Sequence, residues 1–324
     1  MLKQQILMTL MVLTALMMPW SASAQPSERL TLSLPDLDWA LQIDVPDFKI
    51  KSGGLRPDGL ATKAVAVNDA TGIVLSVFIE VAQKPGDSRV AREYYLSGIE
   101  QSPMKEEQMV TSEDGDVALL EYVIKEYQGV KVNQRNVNAY MVRDEFWVDV
   151  HLSKAEYVDS EKKLFDELLA SVVIVDDYIQ TEMDNLIYAS SFYMERNLEK
   201  AAVYYEKAIE KDLASTTLPL ELWRVAVDNL GMAYGMSGDL ENSKRVLLKG
   251  IRQDPDYPMF YYNLACTCAE LNDEDAAMSN LRKAYERKGN MIKGEQFPDP
   301  RSDSSFEKYV SDPDFLALLA EFED

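Results

Sequence analysis

The 324-residue sequence contains one histidine, His151, and two cysteines, Cys266 and Cys268. A single histidine excludes a His-rich metal site, and any Ser-His-Asp or Cys-His scheme has to run through that residue. Cysteines at i and i+2 of a helix point in different directions, so no disulfide framework is expected. Cys268 reads instead as a small core residue. Positive charge is also scarce: 33 Lys and Arg stand against 55 Asp and Glu, a net charge of −22. Such a chain repels nucleic acid and anionic lipid, so neither is an expected partner. Gly53-Gly54 is not followed by Gly-Lys-Ser/Thr and reads as a turn, not a phosphate cradle. Glu113-Asp114-Gly115-Asp116 lacks the later Glu that a calcium loop requires and reads as a hairpin turn. No cofactor or metal is expected. Past the N-terminal segment, no stretch is apolar enough to cross a bilayer.

The first 24 residues have a basic start at Lys3, an apolar run from Ile6 to Trp20, and Ser21-Ala22-Ser23-Ala24. This is the pattern of a secretory signal peptide cut after Ala24. The alternative, an uncleaved anchor, needs a longer apolar run. No Cys directly follows the cut, which argues against a lipid-anchored form. The expected location is periplasmic or secreted, with no stable membrane insertion after cleavage.

Residues 25–175 carry mostly a period of two. Trp39, Leu41 and Ile43 alternate with polar or small neighbours, as do Val65 and Val67. The turn Asn68-Asp69-Ala70-Thr71-Gly72 then leads to a buried strand from Ile73 to Val81. A helix is predicted from Ser88, its cap, to Ile99, with Val90, Tyr94, Tyr95 and Ile99 near one face. Strands follow over Gln108–Ser112, Val117–Glu126 and Val130–Val142, with turns at Asp114-Gly115 and Gln128-Gly129. Phe146, Val148, Val150 and Leu152 form one face of a further strand. A helix over Asp159–Ser171 turns Leu164, Phe165, Leu168 and Leu169 inward. The fold class is α+β: a mostly antiparallel sheet with covering helices, followed by an all-α helical repeat domain. The element order, the opening Trp39-Ala40-Leu41 strand and the closing helix resemble the PsbP-like sandwich of a photosystem extrinsic subunit and several bacterial periplasmic proteins. That resemblance implies a non-enzymatic accessory or binding domain.

From Thr181 the period becomes helical. Leu230-Gly231-x-x-Tyr234, Gly238-Asp239, Ser243, Leu247, Gly250 and Pro255 recur about 34 residues later as Leu264-Ala265-x-x-Cys268, Asn272-Asp273, Ala277, Leu281 and Ala284. An earlier copy reads Tyr188-Ala189-x-x-Phe192, Arg196-Asn197, Ala201, Tyr205 and Ala208. Small residues at fixed offsets let paired helices approach, and large apolar ones fill the seam. Asn197, Asp239 and Asp273 cap the second helix of each copy, with Gly238 and Asn272 suited to the turn before it. These residues resemble the tetratricopeptide repeat family. About three repeats are expected over residues 181–291: Glu182–Ala214, Arg224–Tyr257 and Pro258–Met291, with an insertion around Ser215–Leu222. The tail, residues 292–324, is expected to end in a capping helix over Phe315–Phe322.

The resemblance implies a concave groove lined by the first helix of each repeat. At the family's groove offsets stand Met183, Leu186, Ser190, Tyr193 and Met194, then Val225, Asp228, Met232 and Met236, then Met259, Tyr262, Cys266 and Glu270. An apolar, methionine-rich lining of this kind suits a protein or peptide with an apolar face. The alternative is that the chain's own N-terminal domain or tail fills the groove, in a self-contained or oligomeric structural protein. One subtype of the family clamps a C-terminal carboxylate with Lys and Asn. Asn229 and Asn263 match its Asn positions, but Leu186 and Asp228 replace the basic residues it needs, so the Asn side chains are expected to bond backbone between helices. A third reading places catalysis in the N-terminal domain, where Asp149 and His151 share a strand face. No nucleophile or oxyanion feature accompanies them, and no catalytic residue is assigned.

Overall fold

The computed structural model describes residues 29–99, 109–127, 129–209 and 218–322. The expected signal peptide therefore lies outside the described residues. The chain divides between Gln180 and Thr181 into two compact units, one sheet-based and one helical.

In the sheet-based unit, β1 at Arg29–Leu32, β2 at Ala40–Asp44 and β10 at Val173–Val175 form a three-stranded sheet of order β1-β2-β10. The strands of a second sheet are β3 Phe48–Leu55, β4 Ala61–Asn68, β5 Val74–Val81, β6 Met109–Asp114, β7 Val117–Tyr127, β8 Val130–Arg143 and β9 Phe146–Lys154. They lie in the order β3-β4-β5-β9-β8-β7-β6. All their pairings are antiparallel. Period two gives each strand one face for the core. Leu75, Val77 and Ile79 of β5 and Phe146, Val148, Val150 and Leu152 of β9 pack with Leu41 and Ile43 of the small sheet and with Trp39, just before β2. Burial of this apolar surface is the main term holding the layers together.

The opposite face of the large sheet is covered by α1, Ser88–Ile99. Ala91 packs there with Leu120, Tyr122, Tyr140 and Trp147. The Tyr95 ring stacks on Tyr140 at 5.4 Å. Asp87, one residue before the expected cap Ser88, caps this helix: its carboxylate accepts from the amides of Arg89 and Val90. A second helix, α2 at Lys162–Ala170, closes the first core with Phe165. Leu164, expected inward, is exposed, because the helix presents only the Phe165 side and part of Leu168 and Leu169 to the sheet.

One strand has the opposite phase from the pattern of its larger residues. Ala64, Ala66 and Asn68 of β4 are buried, and Val65 and Val67 are half-exposed. The alanines face the small sheet, where Ala66 is fully buried in the core. Asn68 closes the β4–β5 turn by accepting from the amides of Ala70 and Thr71, both at 3.0 Å. Gly72 completes it with φ +73°, a left-handed conformation that glycine adopts without strain.

The helical unit contains three antiparallel pairs: α3 Glu182–Met194 with α4 Leu198–Ile209, α5 Leu220–Ser237 with α6 Leu240–Gln253, and α7 Pro258–Glu270 with α8 Glu274–Glu286. Leu220–Leu222, expected as part of an insertion, form the first turn of α5, because Pro219 starts the helix and Trp223 anchors it by its ring edge on Phe260. Arg196, Gly238 and Asn272 take the same left-handed turn with φ of 63°, 85° and 61°. Asn197, Asp239 and Asp273 then accept amide hydrogens from Lys200, Asn242 and Ala276. The small slot Ala201, Ser243 and Ala277 and the large slot Tyr205, Leu247 and Leu281 are buried in all three pairs. At Gly231 a Cβ would sit 2.7 Å from the Leu247 side chain, so this glycine lets α5 and α6 approach without displacing that leucine.

The tail ends in α9, Pro313–Ala320, capped by the Asp312 carboxylate. The helix is displaced toward the N-terminus from the expected Phe315–Phe322, as Asp312-Pro313 supplies both the cap and the first-turn proline. Arg282 of α8 pairs with Glu321, and Tyr285 stacks on Phe322 at 5.0 Å.

Candidate functional site

The first helices α3, α5 and α7 carry the expected groove residues, and the structure divides them into two sets. In the first set Met194 and Met236 are each 42% exposed. Met183, Ser190, Val225 and Met232 are partly exposed, whereas Leu186 and Tyr193 are buried. The Tyr193 hydroxyl donates to the Met232 sulfur at 3.6 Å. The Arg196 guanidinium, on the neighbouring turn, donates to the Met236 sulfur at 3.3 Å. This end of the face therefore joins flexible thioethers to one cation.

The second set lies under the tail. Tyr262 is 1% exposed, Met259 is buried and Cys266 is partly buried; Glu270, at the end of α7, is exposed. The Tyr262 hydroxyl donates to the Asp303 carboxylate at 2.9 Å, and the Cys266 thiol donates to the same oxygen at 3.6 Å. Phe297 and Phe306 set ring edges against Tyr262 at 5.5 and 6.1 Å. The covering segment is thus the stretch before α9, not the expected capping helix. Burial and the Asp303 charge push the Cys266 thiol well above its ordinary range, so it stays protonated at neutral pH. Cys268, two residues on, is a buried core residue, and both thiols are free.

Asp228 sits where the two sets meet. It is buried, and its carboxyl accepts from the Asn263 amide at 2.6 Å. Burial, reinforced by the Glu295 charge and opposed by the Asn263 bond, pushes Asp228 up to about 8. Glu295 in turn accepts from the Tyr257 hydroxyl at 2.9 Å. A position that would need a cation to clamp a carboxylate is therefore occupied by a buried acid. Asn229 donates to the Tyr205 hydroxyl at 3.0 Å, so both Asn residues tie neighbouring helix pairs through side chains rather than backbone. Glu295, Phe297, Asp303 and Phe306 were not legible as groove residues. The stretch around Pro298 and Pro300 has no helical period to place it.

On the sheet-based unit, Asp149 and His151 share the α1-side face of β9 without a hydrogen bond between them. Asp149 accepts from the Asn138 side-chain amide at 2.9 Å, and His151 Nε2 meets the Asn136 side-chain oxygen Oδ1 at 3.1 Å. Burial pushes Asp149 up to about 7 and His151 down to about 4. An acid whose ionisation is disfavoured, next to an imidazole held neutral, is the inverse of a carboxylate orienting an imidazolium. Two surface depressions, one beside Val203, Ile209 and Val246 and the other beside Met278 and Leu318, do not border this pair. Among the described residues no group of three or more His, Cys, Asp or Glu side chains is placed to hold a metal ion.

Residues 226–257 and 260–291 match the tetratricopeptide repeat family. These two segments are tetratricopeptide repeats. The pair α3–α4 lies outside the matched residues and has the same turn, cap and slots. No curated protein matches the chain. Among solved structures the chain is similar to cyanobacterial PsbP from Synechocystis sp., at 13% identity over 48% of this chain and 99% of that one, with a TM-score of 0.32. It is also similar to a multi-domain immunophilin from Arabidopsis thaliana, at 12% identity over 73% and 98% of the two chains, with a TM-score of 0.27. A third is LpqN of Mycobacterium tuberculosis, involved in cell envelope biogenesis, at 12% identity over 47% and 87%, with a TM-score of 0.24. With TM-scores below 0.5 these likenesses say nothing about what the chain does. No helix among the described residues is long and apolar enough to cross a membrane.

Proposed function

We propose that the protein is an exported, non-enzymatic adaptor. Its tetratricopeptide repeats hold a segment of another protein, and the contact is made on the first-helix face between Met194 and Met236. The observation that carries this reading is the exposure of those two methionines at equivalent positions of successive helices, with Met232 and Arg196 beside them. Methionine side chains adapt to varied apolar shapes at low cost, which suits a protein-binding surface. The partner presents an apolar face, since the buried Asp228 and Leu186 leave no cationic pair for a free carboxylate. Export rests on the N-terminal pattern of Lys3, Ile6–Trp20 and Ala24.

The test compares proteins captured from periplasmic extract by the full chain, by a Met194→Glu/Met236→Glu variant and by Val203→Glu. Val203 is exposed on the second helix of its pair and serves as a control. The expected result is that a defined set of partners is lost only with the double variant. Identical sets from all three proteins would remove the basis for the reading.

A further inference from the structure

Between α8 and α9 the chain forms only 3-10 segments, at Lys288–Asn290, Pro300–Ser302 and Ser304–Tyr309. Within this stretch, residues 292–309 make side-chain contacts of the kind a bound peptide makes. Glu295 accepts from Tyr257, Asp303 accepts from Tyr262 and Cys266, and the Phe297 ring wedges between Tyr262 and Tyr285 at 5.5 and 4.8 Å. Phe306 is fully buried against Tyr262. The Lys308 ammonium donates to the Ala269 carbonyl and the Asn272 side chain, at the C-terminal end of α7 where a cation is favoured. Tyr262 and Cys266 are groove positions of the third helix pair, the same offsets that carry Leu186 and Ser190 in the first.

We propose that residues 292–309 are an in-chain ligand of the groove. They occupy the third pair and confine any outside partner to the Met194–Met236 end. A segment that displaces them offers an aromatic ring and a carboxylate, the pair of groups that Tyr262 and Cys266 now receive from Phe297 and Asp303. Arg282 and Tyr285 of α8 hold Glu321 and Phe322 at the end of α9 independently of the segment, whereas Phe306 and Tyr309 pack on Phe315 of α9, so release begins at the Phe297–Asp303 part. This inference rests on the repeat reading of α5–α8 but not on an outside partner at the methionine end, and its test is independent of partner capture.

The two cysteines report on it from opposite circumstances, Cys266 beneath Asp303 and Cys268 inside the helix-pair core. The full chain and its Phe297→Ala/Asp303→Ala variant are labelled with a thiol reagent, and the rate at each cysteine is read by mass spectrometry. The expected result is at least tenfold faster labelling of Cys266 in the variant, with Cys268 at its original rate. A synthetic peptide of residues 292–309, but not its scrambled form, restores protection of Cys266. Three results overturn the proposal: an unchanged Cys266 rate, a joint rise at both cysteines, or no protection by the peptide. Phe297→Ala alone, which removes a half-buried ring, is read by the same criteria if the double variant does not fold.

Discussion

Two ends of one face of the first helices have opposite fates. At the Met194–Met236 end the side chains are thioethers, open enough to meet solvent. At the Tyr262–Cys266 end, groove positions one and two turns earlier in their helix are roofed by Phe297, Asp303 and Phe306. The repeat determines which way a side chain points, because α-helical spacing and the shared turn fix the face. It does not determine whether the residue stays exposed. That depends on the segment C-terminal to the array: here a proline-containing stretch supplies rings and carboxylates that match the tyrosines beneath it.

The largest effect that would break this contrast comes from truncating the roof. Phe306→Ala removes a fully buried ring and is expected to destabilise the helical unit by about 3–5 kcal/mol in urea unfolding. A loss comparable to that of a surface change would mean the tail is not packed on the third pair.

The boundary between the two ends is tested by pH. The folded Asp228 holds its proton to about 8, whereas an unfolded aspartate releases its proton near 4. Between these values the folded state binds more protons, so stability falls as pH rises and this contribution is gone above about 8. Asp228→Asn is therefore expected to gain on the wild type between pH 5 and pH 8, by on the order of 3–4 kcal/mol. Parallel stability curves for the two proteins would contradict the burial argument. In the sheet-based unit Asp149 slopes the same way up to about 7. His151, folded value about 4 against about 6.5 unfolded, slopes oppositely below pH 6.5, so the two largely offset on the acid side.

Within α5 the contrast sharpens at two glycines. Gly231→Ala places a methyl against Leu247 and is expected to cost about 1–3 kcal/mol, read as a lower Tm. At Gly235 the nearest atom to a new Cβ is the Ser243 hydroxyl at 3.6 Å, so alanine there is expected to stabilise by about 0.5–1 kcal/mol through helix propensity. The smallest effect belongs to the open end: Met236→Ala is expected to move stability by no more than about 0.5 kcal/mol. A larger loss would mean that Met236 is structural rather than available to a partner.

Much of the helical unit was legible because local chemistry fixes it. Asp239 and Asp273 are strong caps, Gly238 and Asn272 tolerate left-handed backbone, and the small slots recur at one spacing. Arg196 adopts the same left-handed turn without belonging to a residue type that signals it. In the sheets, strand existence followed from alternation, but the buried face of β4 did not. Hydrophobicity favours Val65 and Val67, and the closeness of the small sheet selects Ala64 and Ala66 instead. The seating of residues 292–309 had no sequence signal. Contacts such as Asp303 to Tyr262 join residues far apart in an aperiodic stretch, and only the folded array brings them together.

The central claim, one end open and the other filled by the chain itself, is tested most directly by photo-crosslinking from two positions of the full-length protein in native extract. A photoreactive residue replaces Met236 in one sample and Cys266 in the other. The account predicts that position 236 links to another protein and position 266 links to residues 297–306 of the same chain. Capture of the outside protein from position 266 as efficiently as from position 236, with no link to the tail, would contradict it.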